Sequence, residues 1–169
     1  MFPHDIEATA RQVIEAATRK RLSLATAESC TGGLVGAALT AIPGSSTAYD
    51  RGFITYSNSA KTDLLGVSTA LLEQYGAVSE PVARAMAQGA RQASGADLAV
   101  SVTGIAGPGG GTMEKPVGLV HFGLACADGA ILHEVRHFGD LGRDAVRLAA
   151  LKTALDLLEV GLAQAPDEP

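Results

Sequence analysis

Tryptophan is absent from this 169-residue chain, and aromatic residues make up only 4% of it. A platform of rings for stacking nucleic-acid bases is therefore not expected. Charge is also sparse, at 18% of residues, and the formal net charge is −5. Neutralising phosphates takes clustered Lys and Arg, so neither nucleic acid nor an anionic membrane is an expected partner, and any anionic ligand must be met locally. The two cysteines, Cys30 and Cys126, lack paired spacing. That leaves a disulfide framework or a thiolate metal site without support and makes Cys30 a small buried hydrophobe. No apolar run approaches membrane-spanning length, and Met1-Phe2-Pro3-His4-Asp5-Ile6-Glu7 has neither a cationic flank nor a leader's apolar core. A cytoplasmic location is the expectation.

What is plentiful is apolar and small: 47% hydrophobic residues and 20 glycines. This content can bury a full core, and one domain over residues 1–169 is expected, with 164–169 as a frayed tail. Apolar residues at helical spacing mark a helix from Asp5 to Arg21, and Leu22 to Ala27 reads as the first strand. A helix follows from Gly32 to Leu39, then a strand from Thr47 to Tyr56 with a short helical turn opened by Ser57. Capped helices are predicted for Ser68–Tyr75 and for Ser79 to Ala93, and Asp97–Thr103 is a near-continuous apolar run suited to a central strand. Asp128-Gly129 reads as a two-residue hairpin turn between Val117–Ala127 and Ala130–Phe138, and a last helix runs from Arg143 to Leu162. Alternating helices and strands with one hairpin predict a three-layer α/β/α sandwich around a mixed sheet.

Ser29 stands at the first strand-to-helix turn, within Ala27-Glu28-Ser29-Cys30-Thr31-Gly32-Gly33. Free amides at a helix start favour negative charge, which suits a nucleophile there, although N-capping by Ser29 or Thr31 is the commoner job for such residues. A serine hydroxyl needs a base. With a two-residue turn, position 121 opposes 136, which turns His133 and His137 away from His121 and leaves neither a histidine base nor a three-His metal site in prospect. Lys61 is the better base, since it and Ser29 both fall beyond C-terminal strand ends, where open α/β sheets gather ligands. It must be uncharged to serve, and Tyr56 is placed to hydrogen-bond the amine or relay a proton. The glycine-rich run from Gly104 to Gly111 exposes amides that can nest an anion but matches no nucleotide fingerprint; a plain mobile turn is the equal alternative. Arg143 places a cation in a helix's first turn, against the macrodipole, which either a bound anion or an ion pair with Asp140 or Asp144 would relieve. Glu28 reads as a structural hydrogen-bonding group.

Five ordered motifs then act together: the heptad around Ser29, Gly52-Phe53-Ile54-Thr55-Tyr56-Ser57-Asn58 with Lys61, Gly76-Ala77-Val78-Ser79-Glu80-Pro81, Ser101-Val102-Thr103-Gly104-Ile105-Ala106-Gly107-Pro108 and Lys115-Pro116-Val117-Gly118. Over nearly its whole length the chain resembles the CinA C-terminal domain family. The resemblance implies a mixed-sheet fold, a homodimer, no cofactor or metal, and hydrolysis of nicotinamide mononucleotide to nicotinate mononucleotide and ammonia in pyridine nucleotide recycling. By position it implies Ser29 as nucleophile, Lys61 as catalytic lysine and Tyr56 as its assistant. Local chemistry then makes Thr31, Gly32 and Gly33, or Thr103, Gly104, Ile105, Ala106 and Gly107, the candidates to hold substrate and oxyanion, with Arg143 and the loop on the ribose phosphate. The stretch from Gly139 to Arg143 holds extra residues against the family pattern. The N-terminal molybdopterin-binding-like domain of many relatives is not expected in this chain, and its activities are not implied. Competing readings are a nucleotide-binding module that does not hydrolyse, and a serine–lysine amidase for another carboxamide.

Overall fold

A computed structural model describes residues 1–166. In chain order the elements are α1 (His4–Lys20), β1 (Leu24–Glu28), α2 (Leu34–Thr40), a 3₁₀ turn (Ser45–Thr47), β2 (Tyr49–Ile54), α3 (Asn58–Leu65), α4 (Thr69–Tyr75), α5 (Glu80–Ser94), β3 (Leu98–Gly104), β4 (Leu119–Ala125), β5 (Ile131–His137) and α6 (Arg143–Gln164). The strands form one five-stranded sheet in the order β2-β1-β3-β4-β5. Strand β1 pairs in parallel with β2 and β3, and the pairings β3–β4 and β4–β5 are antiparallel. This is the mixed α/β/α sandwich read from the sequence.

Alternation along the central strands sorts side chains by size. Leu24, Leu98, Val100, Val102, Val120, Phe122 and Leu124 pack with α1, α2 and α6, whereas Ala25, Ala27 and Ala99 pack with Leu65, Val82 and Met86 of the opposite layer. The small face lets α5 close onto the sheet. Ser101 Oγ donates to the Ala83 carbonyl at 2.6 Å, and a Cβ on Gly123 would stand 2.5 Å from that same oxygen. Ser57 and Ser68 cap α3 and α4, each hydroxyl accepting an amide of the first turn.

The hairpin differs from expectation by one residue. His121 pairs with Val135, not Arg136, because Cys126 bonds the Ala130 carbonyl and Ala127-Asp128-Gly129 forms a three-residue loop with Gly129 at φ +90°. That is the bulged alternative to a two-residue turn, which positive φ at glycine permits. A one-residue slip exchanges faces, so His121 and His133 share a face and lie 2.9 Å apart, Nδ1 to Nε2. Parity therefore no longer separates the histidines; among the described residues, no group of three or more His, Cys, Asp or Glu is placed to hold a metal ion. At the chain end, Gln164 is still helical and the Ala165 carbonyl accepts Lys20 Nζ at 2.6 Å. Asp167, Glu168 and Pro169 lie outside the described residues.

From β1 the chain passes through α2 to β2 on one side, then through α3–α5 to β3 on the other. Strand order thus reverses between β1 and β3. A crevice beyond the C-terminal strand ends is the consequence. Among the described residues, no helix is long and apolar enough to cross a membrane.

Candidate active site

Ser29 directly follows β1, and its amide donates to the Val102 carbonyl of β3 at 2.9 Å. Beside it, the Thr55 amide continues the β1–β2 pairing by donating to the Glu28 carbonyl, and Ser57 starts α3, which turns Lys61 back toward the strand ends. Lys61 is 1% exposed, and its Nζ lies 3.0 Å from Ser29 Oγ, 2.8 Å from the Thr55 carbonyl oxygen and 3.4 Å from that of Tyr56. A neutral amine has two N–H donors and one lone pair. Two of its three neighbours can only accept and the third is a hydroxyl that can accept or donate, so the same geometry accommodates the amine with or without its extra proton. Burial, which disfavours the ammonium form, holds the Lys61 pKa below 10.5, and no carboxylate pairs with it among the described residues.

A pocket of about 280 Å³ opens in front of this pair. Ser29, Lys61, Tyr56, Asn58, Ala77, Val78, Arg143 and the run Thr103-Gly104-Ile105-Ala106-Gly107 line it, with Gly109 and Gly110 at the loop's far side. The amides of Ala106, Gly107, Gly109 and Gly110 donate to no acceptor among the described residues. Such amides are ready to meet a negative atom. Arg143 reaches across the mouth, donating through Nη1 to the Gly107 carbonyl at 2.7 Å and through Nη2 to the Tyr56 hydroxyl at 2.9 Å. Neither Asp140 nor Asp144 takes its guanidinium among the described residues. The Tyr56 hydroxyl is thus turned to Arg143, and only its carbonyl approaches the amine.

Thr31, Gly32 and Gly33 stand outside the pocket lining, contrary to the sequence expectation. Helix α2 starts only at Leu34, because Gly32 and Gly33 take φ of +58° and +102°. The fully buried Glu28 carboxylate occupies the helix start: Oε2 accepts the Thr31 hydroxyl at 2.7 Å and the amides of Gly33 and Val35 at 3.0 and 3.1 Å, and Oε1 accepts Gly36 at 2.9 Å. An internal anion already satisfies the donors that a ligand would need. Neither Ser29 nor Thr31 caps this helix; Gly33 is the N-cap residue, without a side-chain bond.

Sequence reasoning missed Asn58, Ala77 and Val78. The last two precede α5 and are held by the Thr103 hydroxyl, which donates to the Ala77 carbonyl at 2.8 Å. Their motif, Gly76 to Pro81, was legible but carried no chemistry of its own. Cys30 lines the pocket beside Ser29, but burial raises its thiol pKa to about 12, which leaves it un-ionised and inert. His121 and His133 stack on each other and are not part of the pocket lining; burial, then its histidine neighbour, lowers the His121 pKa to about 4.

A buried serine–lysine contact at the switch point of a mixed sheet, facing a pocket, defines an α/β/α protein with one candidate site at its strand ends. Residues 6–162 match the model of the CinA C-terminal domain. The chain belongs to the CinA C-terminal domain family. It is 61% identical, over 134 residues, to a nicotinamide-nucleotide amidohydrolase PncC from Enterobacter agglomerans, an alignment covering 76% of this chain and 80% of that protein. A CinA-like protein from Synechococcus sp. is 51% identical over 162 residues, or 95% of this chain, and the match spans only 39% of that longer protein. The crystal structure of competence/damage inducible protein CihA from Agrobacterium tumefaciens superposes with a TM-score of 0.94 at 54% identity, covering 97% of this chain and 99% of that one.

Proposed function

We propose that the chain is a nicotinamide-nucleotide amidase that hydrolyses nicotinamide mononucleotide to nicotinate mononucleotide and ammonia by a serine–lysine mechanism, in the recycling of pyridine nucleotides. The observation that carries this reading is the 3.0 Å contact of the buried Lys61 Nζ with Ser29 Oγ. Neutral Lys61 takes the Ser29 proton as Oγ attacks the carboxamide carbon, and the developing oxyanion is met by loop amides from Ala106 to Gly110. The resulting ammonium returns that proton to the amide nitrogen, the C–N bond breaks, and ammonia leaves an ester on Ser29. Water then attacks the ester, Lys61 accepts its proton, and collapse returns a proton to Oγ and frees the acid. Arg143, with the loop, supplies the cation and donors for the ribose phosphate, and no metal or cofactor takes part.

Support comes from the amidohydrolase relative, from the free amides and from a cation at the mouth of an otherwise acidic chain. Ammonia release should be measured with nicotinamide, its riboside and its mononucleotide, on the native chain and on Ser29→Ala. Turnover of the mononucleotide above the other two, lost in Ser29→Ala, is the expected result. Binding without turnover in the native chain would replace this reading with a nucleotide-binding module, and preference for an unphosphorylated compound would point to another amidase.

A further inference from the structure

Helix α6 meets the site region twice. Its first-turn residue Arg143 faces the pocket, while Arg147, one turn later, grips the turn that bears the nucleophile. Arg147 Nε donates to the Cys30 carbonyl and Nη2 to the Thr31 carbonyl, both at 3.1 Å. These are the two carbonyls that follow Ser29. On the other side of the same turn, the Glu28 carboxylate holds Thr31 and Gly33. The turn also contains Gly32 and Gly33, whose positive φ values belong to a backbone with unusual freedom. Carbonyls can only accept, so the brace must be a donor. Two carbonyls at fixed spacing suit a planar guanidinium fork and not the point charge of an ammonium group.

We infer that Arg147 is a positioning residue for the Ser29 nucleophile. Its fork on Cys30 and Thr31 fixes the turn so that Oγ meets Lys61 Nζ. Arg143 lies four residues earlier on the same helix, hence on the same side, so one rigid element sets both the cationic end of the pocket and the placement of the nucleophile. This deepens the proposed amidase reading, and its turnover arm rests on that reading.

The test compares the native chain with Arg147→Lys and Arg147→Met in three measurements: kcat and KM on nicotinamide mononucleotide, the rate at which a fluorophosphonate labels Ser29, and the thermal midpoint. Displacing a reacting atom by about an ångström costs on the order of 100-fold. Both variants should therefore lose about 10- to 100-fold in kcat and in labelling rate, with KM within about threefold of native and the midpoint nearly unchanged. In Arg147→Ala, added methylguanidinium should restore part of the labelling, and methylammonium should not. Near-native kcat and labelling in Arg147→Lys would overturn the inference, as would losses that follow the unfolded fraction alone, including a variant that does not fold. If the native chain turns over no nicotinamide mononucleotide, the amidase reading falls, and the labelling rates still decide the role of Arg147.

Discussion

Lys61 Nζ stands 3.0 Å from Ser29 Oγ although 32 positions separate the two residues in the chain. Nothing local joins them: β1 ends at one, α3 carries the other, and the parallel pairing of β1 with β2 brings the two strand ends side by side. Because the amine is buried and unpaired with any acid among the described residues, the proposed role as base and the stability of the fold make opposite demands on it.

Replacing Ser29 with Ala or Lys61 with Met should each lower turnover by at least about 10³-fold while leaving the far-ultraviolet circular dichroism native. In the native enzyme, kcat/KM should rise with pH as Lys61 loses its proton, along a limb below 10.5 because burial lowers that pKa. A limb at or above 10.5 would remove lysine as the base.

Lys61→Met should also stabilise the protein, by about 1 kcal/mol. Below 10.5 the unfolded chain holds a proton at Lys61 that the folded chain resists, so stability rises with pH in that window; the Met variant lacks this slope. Urea midpoints between pH 7 and about 10 measure it.

Acid should act through His121. Its folded pKa is about 4 against an ordinary 6.5, so the unfolded chain takes up a proton first and stability falls as pH drops from 6.5 toward 4. His133, Lys115, Glu80 and His137 are its charged or titratable neighbours. His121→Gln should flatten urea midpoints over that window. An equally steep decline in the variant would place acid sensitivity elsewhere.

Glu28→Gln replaces a carboxylate that accepts a hydroxyl and three amides with a group whose NH₂ end cannot accept. A loss of about 3 kcal/mol in urea denaturation is expected, with α2 loosened at its start. A change under about 0.5 kcal/mol would mean that the carboxylate contributes little to holding the start of α2.

Gly89 tests the seating of α3. A Cβ there would press far inside contact distance of the Leu65 carbonyl, at the end of the helix that carries Lys61. Gly89→Ala should cost about 1–3 kcal/mol and lower kcat by shifting Lys61, measurable as a fall in thermal midpoint together with turnover. Unchanged turnover would show that α3 is held from its N-terminal end.

Most of the architecture was legible because its signals are local. Val100 and Val102 in an apolar run, Ser57 and Ser68 ahead of short helices, and Gly76 and Gly95 behind others mark their elements without help from distant residues. The hairpin register was not legible. Asp128-Gly129 suits either loop length, and the choice rests on whether Cys126 or Ala127 pairs with Ala130, a question of sheet twist that no dipeptide carries.

Residue order alone carries the α/β alternation, the apolar strands and the side chains at Ser29, Lys61 and the glycine loop on which the proposed chemistry rests, because periodicity and side-chain inventory are local properties. Which donors remain open to a ligand is set by the folded chain. Glu28 folds back to occupy the start of α2, Arg143 crosses to Tyr56 and Gly107, and Arg147 seizes the turn from a helix 116 or more positions away. A hydrogen-bonding group serves substrate only if no other part of the chain has reached it first, and that competition is settled in three dimensions.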